Sequence, residues 1–282
     1  MKFKHFIPLF IGLLLGFTLG LWLFLWIGGW ISIGIIIASK REGKAKDLGR
    51  RVCILMISPV FLVFLGIIQQ ENFQIEQMVF DTIFFISSGI ITPVILHYAI
   101  AKIIGPLIWG RGYCGWACWT AAFLEWLPIK ENQPVATKYT RIRYLILIIS
   151  ILIPVMFIQL GYDWQSSQIN RSEAQSGQLI WFLVGNGIYY LVAITLAFKF
   201  KKKRAFCKIV CPVSIVMKTQ TMIALAKTKP SGKTCISCKA CNKNCPMDVD
   251  VMSFISAGKK INSSECILCG ICKNVCPQKA IL

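Results

Sequence analysis

The chain carries thirteen cysteines, and twelve of them fall in tight groups. Cys235, Cys238, Cys241 and Cys245 are spaced C-x2-C-x2-C-x3-C and run into Pro246; Cys266, Cys269, Cys272 and Cys276 repeat the pattern and run into Pro277. Three thiolates so close in sequence wrap one corner of an iron–sulfur cubane. The fourth leaves past the next turn, where it reaches a second cubane. The spacing therefore predicts two 4Fe–4S clusters. Cys235, Cys238, Cys241 and Cys276 would hold one, and Cys266, Cys269, Cys272 and Cys245 the other. Zinc sites use paired C-x2-C units with few further cysteines, which two full repeats ending in Cys-Pro do not resemble. Disulfides would need an oxidising compartment and a looser spacing. No neighbouring residue offers a nucleophile or a general base, so two close clusters point to electron relay and not to substrate chemistry.

Two further pairs are spaced C-x3-C. Cys114 and Cys118 lie within Gly110–Trp119, and Cys207 and Cys211 precede Pro212. Positions i and i+4 share a helix face, so each pair would aim two sulfurs at one point. Four such thiolates could ligate a metal or a third cluster, or serve as dithiol/disulfide redox pairs. They could equally be unliganded cysteines packed at the edge of a bundle, and the sequence leaves these readings open. Cys53 has no cysteine neighbour and reads as a small apolar packing residue.

The elements that must position these groups are apolar. The chain is 56% hydrophobic and only 15% charged, against about a quarter charged in ordinary soluble domains. The excess lies before Lys199. Phe6–Ala38 is an unbroken apolar run of 33 residues, longer than a ~30 Å hydrocarbon core needs and short for two spans. It reads as one long or broken span, with Gly28 and Gly29 as the break, or else as a short hairpin. Val52–Ile68, Met78–Ile104 with a kink at Pro93, Tyr144–Gly161 and Leu179–Phe198 follow. The expected fold is an α-helical integral membrane bundle of about five spans, or six. A C-terminal α+β bacterial-type two-cluster ferredoxin domain completes it. The boundaries are 1–204 for the membrane part, 205–230 for the second cysteine pair and linker, and 231–282 for the ferredoxin domain. Cys114–Leu127 reads as a re-entrant or interfacial helix.

Charge sets the orientation. The chain has a formal net charge of +19. Lys40–Arg51, Lys130–Arg143 and Lys199–Arg204 are basic, whereas Gln69–Gln77 and Tyr162–Gln178 are not. Basic and non-basic loops alternate in register with the spans, so the positive-inside rule puts the cluster domain on the cytoplasmic side of the cell membrane. The same rule absorbs the charge without nucleic acid as a partner. The opening run is too long for a cleaved signal peptide and is followed by basic residues. Lys2 and Lys4 favour an inside N-terminus, and a single first span would favour the opposite. From Ala205 onward, eleven lysines face only Asp248, Asp250 and Glu265. Such a surface suits anionic membrane lipid or an acidic soluble carrier such as a ferredoxin or flavodoxin. His97 falls inside a span, where an ionisable group is functional by default. A quinone hydrogen bond, a proton relay and a structural histidine all fit it. With His5 the only other histidine, a bis-histidine haem is not expected. Trp109, Trp116, Trp119 and Trp126 read as an interfacial belt.

The two C-x3-C pairs at cytoplasmic span ends, followed by two cluster repeats, resemble the NapH subunit of periplasmic nitrate reductase systems. The C-terminal part of NosR and the oxidase-assembly protein CcoG share these parts. The resemblance covers roughly residues 79–282. It implies a membrane-bound polyferredoxin that links a quinol pool or a membrane partner to reductases. Through CcoG it also allows a metal-handling or assembly role, which would call for a Met- or His-rich path; here His97 stands alone and the methionines are scattered. The chain departs from the pattern at Trp119, which occupies the proline place of the first pair. It has no NosR-like flavin threonine motif and no C-x-x-C-H haem signature.

Overall fold

The first apolar run folds back on itself. In the computed structural model, which describes residues 5–162 and 171–282, helix α1 (Ile7–Leu19) ends on Gly20 in the left-handed conformation (φ 68°), and α2 (Leu23–Ser39) returns antiparallel to it. Of residues 171–175 only the backbone is described. The charges read at Lys2, Lys4, Asp163, Arg171 and Glu173 therefore lie outside the described residues or side chains. The hairpin replaces the expected long span, and the break falls at Gly20–Trp22 instead of Gly28–Gly29. Gly28 does the opposite of breaking: a Cβ there would lie 2.1 Å from the Pro8 carbonyl oxygen, and one at Gly12 would lie 2.4 Å from that of Phe24. Small residues let two apolar helices pack backbone to backbone.

Helix α3 (Asp47–Pro59) continues as a π-helical stretch to Ile68. After a turn at Gln70 (φ 54°), α4 (Ile75–Ser88) ends on left-handed Gly89. The expected Met78–Ile104 span is thus two helices. Pro93 does not kink one; it opens α5 (Pro93–Tyr98), where its fixed φ and missing N–H suit the first turn. The Thr92 hydroxyl caps that turn by accepting from the Ile95 N–H over 3.4 Å. The helix goes on through π-helical Ala99–Ile104 into α6 (Gly105–Trp109). Short helices α7 (Gly112–Trp116) and α8 (Trp119–Leu124) occupy the segment expected to be re-entrant. Then come α9 (Thr137–Thr140), α10 (Ile142–Gln159), α11 (Arg171–Lys199), α12 (Ala205–Ile209), α13 (Val213–Val216) and α14 (Lys218–Ile223).

Among the described residues three helices are long and apolar enough to cross a membrane: Gly43–Ile68, Thr137–Gln159 and Ser176–Lys199. Ile7–Leu19, Leu23–Ser39 and Pro93–Trp109 are apolar but shorter. Large apolar side chains point outward from α10 and α11, including Leu145, Ile148, Leu152, Ile188 and Leu191. That is the surface lipid contact calls for and water does not tolerate.

The C-terminal domain holds α15 (Ala240–Lys243), α16 (Val251–Ser256) and α17 (Ile271–Val275). The expected α+β character shrinks to one isolated antiparallel bridge between Pro230 and Ile281, and the described residues contain no strand. Leu282 N–H donates to the Lys229 carbonyl over 2.8 Å and Ser231 N–H to that of Ala280 over 3.0 Å. The cysteine-bearing turns take up most of the domain and leave only these short edges to pair.

Candidate iron–sulfur centres

The domain contains two cavities of nearly equal size. One is lined by Cys235, Cys238, Cys241 and Cys276. The other is lined by Cys245, Cys266, Cys269 and Cys272. Each collects three cysteines of one repeat and the last of the other, the crossed pairing expected from the spacing. Apolar walls complete both: Ile255 and Ile281 in the first, Val249, Val251 and Ile261 in the second. Among the described residues no three His, Cys, Asp or Glu are gathered for one metal ion. A single ion needs its ligands within ~2.3 Å of one point, whereas a cubane holds its thiolates further apart.

The backbone repeats with the cysteines. Ser237 and Lys239 (φ 53° and 57°) flank Cys238, as Leu268 and Gly270 (φ 51° and 74°) flank Cys269. Such left-handed residues curl the chain around a centre. The last cysteines match too: Val249 N–H donates to the Cys245 sulfur and Ala280 N–H to the Cys276 sulfur, each over 3.3 Å. Hydrogen bonds to sulfur are among the groups that tune a cluster's potential. Burial pushes the Cys269 thiol up to about 12, against the opposing charge of Arg50. Cluster ligation requires the thiolate, so assembly has to draw off that proton.

The two cavities are not equivalent in position. Cys238, Ile236, Lys239 and Gln278 on the rim of the first are exposed. The second faces the membrane part. There Trp116 donates its indole N–H to the Leu268 carbonyl over 3.1 Å. A Cβ on Gly115 would lie 2.1 Å from the Ile267 carbonyl oxygen, so only glycine permits so close an approach of the two loops.

The C-x3-C pairs come together beside this contact. Cys207 and Cys211 both lie within electrostatic reach of Cys114 and Cys118, and Cys114 Sγ stands 3.9 Å from Met217 Sδ. Burial pushes the Cys207 thiol up to about 11 despite the opposing charges of Arg204 and Arg111. It pushes Cys211 up as well, with the other three thiols adding to the effect. The expected helix face is corrected: α7 ends before Cys118 and α12 before Cys211. One turn serves both pairs instead. The Tyr113 carbonyl accepts from Ala117 (2.9 Å) and Cys118 (3.0 Å), and the Phe206 carbonyl from Val210 (2.9 Å) and Cys211 (3.1 Å). Trp119 in the proline place leaves this turn intact. Its buried indole donates to Asn186 Oδ1 over 3.1 Å, so Trp116 and Trp119 are internal ties and not members of a belt. Trp126 is exposed, with the Arg51 guanidinium 4.2 Å from its ring centroid. Cys53 is fully buried, as expected of a packing residue.

Ion pairs fix the domain to the bundle and brace the membrane part beneath it. Glu265, next to Cys266, meets Arg111 at 2.8 Å and Arg143 at 2.6 Å. Burial alone would raise its carboxyl, but hydrogen bonds from Arg143 and the charges of Arg111 and Arg143 outweigh that and bring it to about 2. Glu125 meets Arg204 at 2.6 Å and Arg50 at 3.1 Å. Those guanidiniums also donate to the carbonyls of Cys114 (2.9 Å) and Gly115 (3.1 Å). Asp248 meets Lys202 and Lys208, both at 2.6 Å. Asp248 and Glu265 are thus spent internally, which leaves the lysine surface more positive than composition alone indicates.

An apolar cavity opens within the bundle between the α1–α2 hairpin and π-helical Ala99–Ile104. Phe73, His97, Lys102, Tyr113 and Trp116 line it, and it reaches Leu268. His97 does not stand alone there. Its Nδ1 is 3.7 Å from Glu71 Oε2, too far for a hydrogen bond, and neither atom has another partner among the described residues.

Comparison with known proteins agrees with this layout. A family model described as a 4Fe-4S dicluster domain matches residues 234–281, and one described as a 4Fe-4S binding domain matches residues 91–128 and 186–222. The second covers both C-x3-C pairs. An uncharacterized protein of Methanocaldococcus jannaschii is 25% identical over 75% of this chain and 95% of its own length. The putative electron transport protein YccM of Escherichia coli is 25% identical over 65% of this chain and 53% of its own. The ferredoxin-type protein NapH of Haemophilus influenzae is 25% identical over 64% of each. No solved structure matches.

Proposed function

Taking the chain as an iron–sulfur electron-transfer protein of the NapH-like polyferredoxin family, which the domain matches and these relatives support, we propose that it relays electrons between a lipid-borne quinone and a redox partner at the cytoplasmic face. Cys235, Cys238, Cys241 and Cys276 hold the outer cluster; Cys266, Cys269, Cys272 and Cys245 hold the inner one. Cys114, Cys118, Cys207 and Cys211 hold a third centre at the membrane edge. The short apolar helices complete the bundle around it, and the hairpin keeps the N-terminus on the side of the basic loops.

One observation carries the reading. The loop bearing Cys114 and Cys118 touches the turn between Cys266 and Cys269, and the apolar cavity ends at the same contact. The three cysteine sets and the cavity therefore form one series from lipid to the exposed rim at Cys238. A quinone ring with an isoprenoid tail matches a cavity that is apolar except for His97, Lys102 and Tyr113. The His97–Glu71 pair is placed to take or give its protons. No observation favours the metal-handling alternative.

The test uses protein purified without oxygen and reduced with dithionite. A short-chain quinone should restore the oxidised cluster absorbance. Clusters that stay reduced, although a soluble one-electron acceptor oxidises them, would remove the membrane end of the reading.

A further inference from the structure

Lys102 is 4% exposed on the π-helical segment Ala99–Ile104, within the apolar helix Pro93–Trp109. It makes no ion pair with a carboxylate among the described residues. Its ammonium rests on aromatic rings instead, 3.1 Å from the centroid of Tyr113 and 5.5 Å from that of Trp119. These two residues bracket the first C-x3-C pair: Tyr113 precedes Cys114 and Trp119 follows Cys118. Cys118, Cys114 and Cys211 lie near enough that negative charge on them would act on Lys102. The other buried cations here already have carboxylates, Glu265 for Arg111 and Glu125 for Arg204. Lys102 also lines the apolar cavity, on the side toward the cysteines.

An ammonium in apolar surroundings is costly without a counter-charge, and intramembrane lysines mark function. Cation–π contacts recover only part of that cost. The missing counter-charge is supplied if the four edge cysteines carry negative charge. We propose that Lys102 is the fixed counter-cation of the edge-cysteine centre, raising its reduction potential so that it accepts electrons from the carrier in the cavity. This inference rests on the reading that these four cysteines hold a cluster. Reduction by one electron adds one negative charge to a centre that four thiolates already make anionic. In a low-dielectric site a nearby fixed cation favours that more negative state. The electrons come from the quinol-class carrier, two such one-electron steps oxidising it to the quinone while its two protons leave by way of His97, and Lys102 neither gains nor loses a proton. The role is one of positioning charge, since Lys102 ligates nothing.

The test is a redox titration followed by EPR on anaerobically purified protein. Lys102→Met should shift the midpoint of one signal downward, with iron content and the other two midpoints unchanged, and Lys102→Arg should keep the wild-type value. Should the methionine variant lose iron, Lys102→Gln carries the same expectation. Full iron with all three midpoints unmoved, or shifted together, would overturn the role of Lys102 and leave the third centre standing. About eight iron in the wild type would overturn the third centre and this inference with it.

Discussion

The indole N–H of Trp116 reaches the Leu268 carbonyl across 3.1 Å, tying the loop between two membrane-edge cysteines to the turn between two cluster cysteines. Gly115 beside it brings the two backbones within reach. The pair orders the cysteine sets: the edge pairs first, the inner cavity next, and the outer cavity beneath exposed Cys238.

Gly115→Ala should disrupt this junction, because its Cβ would meet a backbone carbonyl and not a yielding side chain. Overpacking of this kind costs roughly 1–3 kcal/mol, seen as earlier thermal loss of cluster absorbance. Trp116→Phe removes one hydrogen bond, about 1 kcal/mol. It should keep its iron yet pass electrons from quinol to the outer cluster more slowly. An unchanged rate in Trp116→Phe would place the path elsewhere.

Glu265 should set an acid limit on docking. Its folded pKa, about 2, is depressed below the ordinary ~4.3 of a glutamate. The stability it contributes is therefore fully present above pH ~4.3 and is lost as the pH falls toward 2, on the order of 3 kcal/mol in all. Protection factors of residues 262–270, the exchange rates corrected for the intrinsic pH dependence of amide exchange, should be steady from pH 7 to 5 and fall below that. In Glu265→Gln they should be low throughout.

Lys239 and Lys243 are exposed near the outer cavity. If the partner is an acidic soluble carrier, its electron-transfer rate should fall steeply as salt rises beyond ~0.1 M, where the Debye length is ~10 Å. Lys239→Glu with Lys243→Glu should slow it further without loss of iron. A rate indifferent to both would assign the positive surface to anionic lipid.

The proposed orientation, drawn from the basic loops, has the C-terminus in the cytoplasm. A reporter fused after Leu282 should be active there, and activity only on the opposite side would reverse the orientation.

The two sets of four cysteines that line the paired cavities were legible in the sequence, because C-x2-C-x2-C-x3-C-P leaves the chain little freedom in how it wraps. The shared turn of the two C-x3-C pairs was not, because the i, i+4 spacing suggested a helix face and the turn is a matter of backbone carbonyls. Hydropathy marked the apolar runs but misplaced their breaks. Gly28 and Gly29 looked like hinges although Gly28 serves close packing, and Pro93 looked like a kink although it starts a helix. Charge counting marked the acidic residues as surface minority, while Glu265 and Asp248 form ion pairs that dock the domain. Lys102 carried no sequence signal beyond being a charge in an apolar run. Its meaning comes from the rings and thiols around it.

Iron and acid-labile sulfide counted per chain, in wild type and in Cys114→Ser with Cys211→Ser, test the relay most directly. The expected result is about twelve iron in the wild type and about eight in the double variant, with the ferredoxin-domain EPR signals retained. About eight in both, or zinc in place of iron and sulfide, would contradict it.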